Sequence, residues 1–214
     1  LPTIVATAKA MVRGVFLLDG GAEFFSYKRG EPVVLGATVA NMGRSRHETT
    51  AAILIHDVRG AVVYRTRRAL SLPSGGSAET SWTWLPENLA PQGYTVTTSL
   101  YEAGALMDRI EHRIEALRTE PARPDEFVRV QGSLFTLGGK PWYFRGMNYW
   151  PNWIAGYPTL NHRNRECYDS EIIERDLAWL QSAGVNVVSA IAGIQPPNPD
   201  DPAGYRDQLD FLDR

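Results

Sequence analysis

The sequence has only one cysteine, Cys167, among its 214 residues. A single cysteine forms no disulfide within the chain and supplies no cysteine-rich metal cluster. No histidine stands at a telling spacing from it, so we interpret it as a structural or incidental thiol rather than a nucleophile. The four histidines are scattered, without HxH or HExxH spacing, so the sequence predicts no metal site.

A surplus of basic charge is also lacking. The 22 lysines and arginines against 24 acidic residues give a formal net charge of −2. Proteins that bind phosphate backbones carry a basic surplus, so we expect no nucleic-acid partner. No run of about 18 apolar residues is present, so no membrane span is expected. The first 21 residues lack a basic n-region and a clean cleavage site, so they are not interpreted as a signal peptide.

The first 118 residues consist of short apolar or alternating runs separated by turn residues. Gly20 and Gly21 are expected to end the first strand, and Arg59 and Gly60 to form a tight turn. Short strands at this spacing, without helical periodicity, predict an antiparallel β-sandwich over residues 1–118. Strands are predicted at residues 10–18, 33–40, 49–57, 61–67, 79–85, 94–101 and 106–117.

Two groups of side chains in this domain are candidates for a surface role. Trp82 and Trp84 alternate along a strand and could stack on a ligand, but packing in the core or against the next domain is favoured. Arg65, Arg67 and Arg68 are expected to line a solvated strand edge, where charge discourages pairing between molecules.

The chain beyond the sandwich changes in character. Residues 119–126 are predicted to be a linker, because the stretch RTEPARPD at 118–125 combines two prolines with four charges. After it, turns at residues 131–133 and at Gly138-Gly139 delimit a small hairpin. The run WYFRGMNY at 142–149 is expected to be a buried strand that ends in polar and aromatic groups.

A helix and a second strand are predicted next. Ser170 is a suitable N-cap, and Gly184 suits the position just past the helix end. The run VNVVSAI at 185–191 is typical of a parallel strand covered on both faces, so residues 142–191 predict a βαβ unit. The buried helix face is expected to comprise Ile173, Leu177 and Leu180. Another helix is expected to begin within residues 200–214.

Two stretches carry a family resemblance: FVRVQGSLFTLGGKPWYFRGMNYWP at 127–151 and DLAWLQSAGVNVV at 176–188. They resemble the start of the barrel in glycoside hydrolases of the large (β/α)8 clan, especially of the family 2 and family 5 types. The resemblance implies a mixed fold, an all-β immunoglobulin-like sandwich followed by the first part of a TIM barrel over residues 127–214. It also implies hydrolysis of O-glycosidic bonds in oligo- or polysaccharides, without a cofactor, and an extracytoplasmic (secreted or periplasmic) location.

The resemblance places part of a carbohydrate site at the end of the first barrel strand and in the loop that follows, where aromatic rings would stack on sugars. The open alternatives are that the two tryptophans only pack this loop and that Arg145 pairs with a carboxylate inside the barrel. The substrate-binding candidates are Arg145, Asn148, Tyr149, Trp150 and Trp153.

The catalytic carboxylates of the clan come from its fourth and seventh strands. A (β/α)8 barrel needs about 250 residues, whereas residues 127–214 number 88. We therefore expect two barrel strands and no catalytic residue within residues 127–214. The remainder of the barrel is expected to complete the fold. Ser189 stands where the family usually carries an arginine. The competing hypotheses are a non-catalytic carbohydrate-binding or adhesion module and a scaffold domain that holds protein neighbours.

Overall fold

The computed structural model describes residues 13–87, 89–117, 123–149 and 170–190, together with positions 206, 209 and 210. These residues are mostly β-strand, and one α-helix is described from end to end. The packing of the backbone divides the chain into two compact units, Leu1–Leu117 and Arg118–Arg214.

The first unit is a β-sandwich of two sheets. Strands β1, β3 and β6 form one sheet in the order β1-β3-β6, and the others form the second in the order β2-β8-β7-β4-β5. Every pairing is antiparallel except that of β2 with β8. The sandwich predicted from the strand spacing is thus present. Its strands are β1 Val15–Ala22, β2 Ser26–Tyr27, β3 Val33–Asn41, β4 His47–Asp57, β5 Val62–Leu72, β6 Ser77–Trp84, β7 Tyr94–Glu102 and β8 Ala105–Ala116.

The core lies between the two sheets, because alternate residues of each strand point inward. Val33 and Leu35 from the smaller sheet pack with Ile53 and Val96 from the larger one, and all four are fully buried. Burying each such side chain contributes about 1.5–3 kcal/mol of transfer free energy. This apolar layer is what holds the two sheets together.

Trp82 and Trp84 are part of this packing. Both are partly buried against the core clusters, and the Trp84 ring meets Tyr94 edge-on at 5.3 Å between centroids. The prediction that they belong to the core is confirmed. Arg65, Arg67 and Arg68 are all exposed on β5, an edge strand of the larger sheet, as predicted. The Arg68 guanidinium also lies 5.6 Å from the centre of the Trp82 ring in a cation–π arrangement.

The prediction that Gly20 and Gly21 end the first strand is wrong. Both lie inside β1, after an irregularity in the pairing between Leu17 and Asp19. A Cβ on Gly20 would meet the Thr98 side chain at 2.7 Å, and one on Gly21, where φ is +126°, would overlap the His112 ring. These glycines therefore allow side chains of the second sheet to approach the backbone closely, rather than breaking the strand.

The second unit begins with a small antiparallel sheet of three strands, β9 Arg129–Gln131, β10 Leu134–Leu137 and β11 Lys140–Pro141. Two-residue turns join them. Gly132 in the first turn has φ +62°, and Gly138 and Gly139 in the second have φ +55° and +76°. Positive φ at both central residues, as in the second turn, or at the first alone, as in the first turn, is the geometry of a tight hairpin. The two turns predicted from the glycines are thus confirmed.

A βαβ unit follows. Strand β12 (Gly146–Tyr149) pairs in parallel with β13 (Val187–Ala190), and helix α1 (Ser170–Ser182) lies between them in sequence. Ile173 and Leu180 of α1 are buried and Leu177 packs beside them, as predicted. The helix begins at Ser170 itself, so this residue is the first helical position rather than a cap outside the helix.

The end of α1 shows the predicted glycine stop. Gly184 has φ +85°. Its N–H donates to the carbonyl of Gln181 at 2.9 Å, and the N–H of Val185 donates to the carbonyl of Leu180 at 3.0 Å. These two bonds are those of a Schellman motif, which satisfies carbonyl groups at a helix end.

Strands β12 and β13 are shorter and more open than the sequence predicted. Residues 142–145 precede β12 without regular pairing, and Gly146, Met147 and Asn148 are exposed. In β13, Val188 packs toward α1 while Ser189 is exposed. Within the part of the chain that the structure describes, helix α1 covers one face of this pair, so the predicted burial on both faces is wrong there.

Candidate functional site

The carboxyl ends of β12 and β13 form the edge at which a site was predicted. The parallel register places Asn148 beside Ser189 and Tyr149 beside Ala190. Asn148 and Ser189 are both exposed. Neighbouring strands lie about 4.8 Å apart, so an amide and a hydroxyl stand side by side at this edge. Ligands of α/β folds bind at the carboxyl ends of the strands.

Tyr149 faces the helix rather than an open wall. Only 7% of it is exposed, and it packs with Ile173 and Leu180 of α1. Its hydroxyl donates to Oδ2 of Asp176 at 3.3 Å. Burial, with the adjacent Asp176 carboxylate, raises the pKa of the phenol well above its usual range, so the hydroxyl stays protonated as a donor. Tyr149 thus ties β12 to α1.

Arg145 is not brought together with Asn148 and Tyr149. It precedes β12, and Tyr149 lies four positions further along the chain, about 13 Å away in an extended strand. Its guanidinium lies near Gly184 at the far end of the helix, where a Cβ would come within 3.7 Å of it. Its predicted position at the carboxyl end of the strand is therefore wrong.

Asn186 fixes the backbone on this opposite side. Its Oδ1 accepts the N–H of Arg145 at 2.7 Å, its Nδ2 donates to the carbonyl of Tyr143 at 2.9 Å, and its own N–H donates to the carbonyl of Arg145 at 3.0 Å. Three hydrogen bonds from one residue set the position at which β12 begins. The signal for this arrangement in the sequence is the asparagine of GVNVV.

The remaining candidates lie outside the described residues. Trp150 and Trp153 are among them, as is Cys167. Among the described residues, no three His, Cys, Asp or Glu side chains are grouped as metal ligands would be. In the same part of the chain, no helix combines the length and apolar character needed to cross a bilayer.

A Ser-His-Glu arrangement in the sandwich was not anticipated from the sequence. Nδ1 of His47 lies 2.6 Å from Oε1 of Glu102, and Nε2 lies 3.3 Å from Oγ of Ser45. This is the order of groups in a hydrolytic triad. Ser45 nevertheless lies on an exposed loop between Arg44 and Arg46, which are also exposed, and such a location lacks the water-excluded environment that makes an oxyanion site effective. We assign these contacts to bracing the loop against β7.

No protein-family model matches the sequence, and no curated protein matches it. Solved structures do align with it. A putative β-galactosidase from Bacteroides fragilis is 17% identical with a TM-score of 0.46, over 93% of this chain and 27% of that one. A glycosyl hydrolase family 2 member from Bacteroides cellulosilyticus is 15% identical with a TM-score of 0.45, over 92% and 26%.

A β-glucuronidase from Bacteroides uniformis is 18% identical, with a TM-score of 0.43 over 94% of this chain and 26% of that one. The chain thus spans about a quarter of the length of these structures. Identities below one fifth and TM-scores below 0.5 do not establish membership of a family.

Proposed function

We propose that this chain is the N-terminal portion of a glycoside hydrolase that acts on O-glycosidic bonds of oligo- or polysaccharides. The observation that carries the proposal is the parallel β12–α1–β13 unit, formed by the two stretches of sequence that resemble the clan. A strand, a helix and a parallel strand are the repeating element of a (β/α)8 barrel. Residues 127–214 are accordingly proposed to open such a barrel, with the preceding sandwich of immunoglobulin-like type.

The proposed role of the described edge is to hold sugar hydroxyls. The Asn148 amide donates and accepts hydrogen bonds, and the exposed Ser189 hydroxyl beside it does the same. Trp150 and Trp153 are proposed to supply stacking surfaces next to this edge. Arg145, at the opposite end of β12, is left out of the proposed site.

In this proposal, the glycosidic bond is hydrolysed by two carboxyl groups that the remainder of the barrel supplies. Retaining glycosidases place them about 5–5.5 Å apart, one as acid/base and one as nucleophile. The chain's own contribution is therefore substrate positioning, in an enzyme proposed to act outside the cytoplasm.

The first experiment is the intact mass of the natural protein under denaturing conditions, followed by assay on a panel of nitrophenyl glycosides. We expect a mass well above 23.8 kDa and hydrolysis of at least one glycoside. Asn148→Ala should lower kcat/KM by about tenfold or more, because a hydrogen bond to a sugar hydroxyl is lost. Gln181→Ala, at an exposed position near the end of α1, is the matched control and should leave kcat/KM unchanged.

Two results would overturn the proposal. One is a natural protein of 23.8 kDa, which would lack the carboxylate pair. The other is a larger protein that hydrolyses none of the glycosides. Either would favour the non-catalytic carbohydrate-binding module.

A further inference from the structure

Along the edge of β1 that faces away from β3, backbone N–H groups bond to side chains. In the sheet order β1-β3-β6, β1 has its strand neighbour, β3, on one side. The N–H of Glu23 donates to the carbonyl of Val34 at 2.9 Å, and hydrogen-bonded pairs alternate along an antiparallel ladder. Gly20, which is paired with Ala37, falls at a pair without these bonds. Its N–H therefore points away from β3.

The acceptor of the Gly20 N–H is the carboxylate of the residue before it. Oδ1 of Asp19 accepts this N–H at 2.8 Å. Two residues further on, the N–H of Ala22 points to the same side, and there it donates to Nε2 of His112 on β8 at 3.2 Å. A distant side chain thus holds the second N–H group, whereas Gly20 is bonded to its immediate neighbour in the chain.

The contact of Asp19 with Gly20 brings together the two atoms of a ring closure. The amide nitrogen that donates to the carboxylate stands beside the carboxyl carbon, and a bond between these two atoms would close a five-membered ring. Holding reacting atoms in contact makes such an intramolecular step much faster. Gly20 has no Cβ to hinder the approach of its nitrogen. Asp19 is exposed, so water reaches the carboxyl group.

We propose that Asp19 isomerises to isoaspartate in the folded chain, through a cyclic imide formed with Gly20. A bond forms from the Gly20 nitrogen to Cγ of Asp19, and the carboxyl C–OH bond breaks. The hydroxyl leaves with the amide proton as water. A water molecule then adds to the main-chain carbonyl carbon of the ring and breaks its bond to nitrogen, so the backbone runs through Cβ and Cγ. Water is lost and regained, so no oxidant or cofactor is required.

The product lengthens β1 by one backbone carbon. The next residue, Gly21, lies against the His112 ring and is paired with Gly36. The added atom displaces both contacts, so we expect the isomerised chain to be less stable. The product also has a free α-carboxylate, which is the group that carboxyl methyltransferases specific for isoaspartate recognise. The reaction involves the sandwich alone and does not depend on the proposed glycosidase function.

The test incubates the folded full chain in neutral buffer at physiological temperature and then digests it with trypsin. Electron-transfer fragmentation distinguishes isoaspartate from aspartate in each peptide, and methylation by an isoaspartate methyltransferase measures the total. Asp19 lies in the peptide 14–28, and Asp57 in the peptide 47–59. We expect isoaspartate to accumulate at Asp19 about tenfold faster than at Asp57, or more.

Asp57 is the matched control because its surroundings oppose ring closure. Its Oδ1 accepts the N–H groups of Arg59 and Ala61, at 2.9 and 2.8 Å, rather than that of the next residue. That next residue is Val58, whose branched side chain crowds the nitrogen.

Two variants test the chemistry at position 19. Asp19→Glu should abolish the signal in the peptide 14–28, because its longer side chain would have to close a six-membered ring. Asp19→Asn should raise the rate by about tenfold or more, since an amide carbon accepts the nitrogen more readily than an ionised carboxylate does.

The same incubation in urea gives the rate in the unfolded chain, and the folded chain should react within about tenfold of it. The proposal is overturned if the folded chain accumulates no isoaspartate in the peptide 14–28. It is also overturned if the two peptides accumulate isoaspartate equally, or if Asp19→Glu keeps the signal.

Discussion

The imidazole of His112 occupies the space above Gly21 that a β-carbon at that position would need. This contact joins the first strand of the sandwich to the last one. The ring is held in place because its Nε2 accepts the N–H of Ala22 at 3.2 Å. A glycine that resembles a strand breaker in the sequence is thus required by a residue 91 positions away.

Replacing Gly21 with alanine should destabilise the sandwich by about 3 kcal/mol or more, through overlap with the ring and strain at a positive φ. Urea unfolding followed by tryptophan fluorescence measures this loss. Gly36→Ala is the matched control, because Gly36 pairs with Gly21 in register but a Cβ there would meet only a backbone oxygen at 3.7 Å. The control should change stability by less than about 1 kcal/mol. Equal losses in the two variants would contradict the assigned role of the ring.

The same histidine should make stability depend on pH. Burial lowers the pKa of His112, while the nearby Asp19 carboxylate acts in the opposite direction. Because the folded state prefers the neutral ring, its contribution is fully present above the unfolded-state pKa of about 6.5 and is lost as the pH falls through the lower folded-state value.

Unfolding free energies of the wild type and of His112→Gln, measured between pH 7.5 and pH 5 (about the range over which an ordinary histidine titrates), check this. The variant should be less stable at the upper end, and the gap should narrow toward the lower end. A gap that stays constant across the range would show that His112 does not titrate against folding.

Asn41, the last residue of β3, holds the β3–β4 loop, and we expect its replacement to lower the stability of the sandwich strongly. It is 1% exposed, its Oδ1 accepts the N–H of Gly43 at 2.9 Å, and its Nδ2 donates to the carbonyls of Ser45 at 2.8 Å and Pro73 at 2.9 Å. Asn41→Asp should cost about 3 kcal/mol or more, because a buried carboxylate would then face carbonyl oxygens.

Thermal unfolding of Asn41→Asp and of Ser74→Ala provides the comparison. Ser74 donates to the carbonyl of Gly43 in the same loop, but it is exposed. Its replacement should cost less than about 1 kcal/mol. A small effect of Asn41→Asp would mean that the loop rearranges without this residue.

Tyr149 should resist ionisation, since burial and Asp176 raise its pKa. In a spectrophotometric titration up to about pH 11, close to the value at which ordinary tyrosines ionise, Tyr149→Phe should show the same rise in phenolate absorbance as the wild type. Circular dichroism at each pH establishes that the chain is still folded. A smaller rise in phenolate absorbance in Tyr149→Phe than in the wild type would show that the Tyr149 hydroxyl of the wild type is exposed to water.

The strands could be predicted because their signal is local. Alternation along β4 and β7 and the glycines of the hairpin turns depend on neighbouring residues alone. Gly20 and Gly21 were misread because their reason lies on β7 and β8, which no local pattern reveals. The two-residue strand β2 escaped prediction for the same cause, since only its pairing with β8 makes it a strand.

The candidate site was predicted less well than the fold. The motif RGMNY indicated a strand, but it did not show where pairing begins, so Arg145 was placed at the wrong end. Tyr149 resembled a substrate contact because tyrosine suits both a sugar site and a helix–strand contact. Only the position of Ile173 and Asp176 on the facing helix decides between these roles.

The parallel pairing of β2 with β8 has a consequence for how the sandwich is made. Ser26 pairs with Glu115 in the sheet, and the N–H of Ala22 donates to the His112 ring. These contacts of the first two strands therefore form only after the last strand has been made. Contacts at such sequence separation close late and slow folding. On the ribosome, about 90 residues must emerge after β2 before it finds its partner strand, and until then its edge is available for association with other chains.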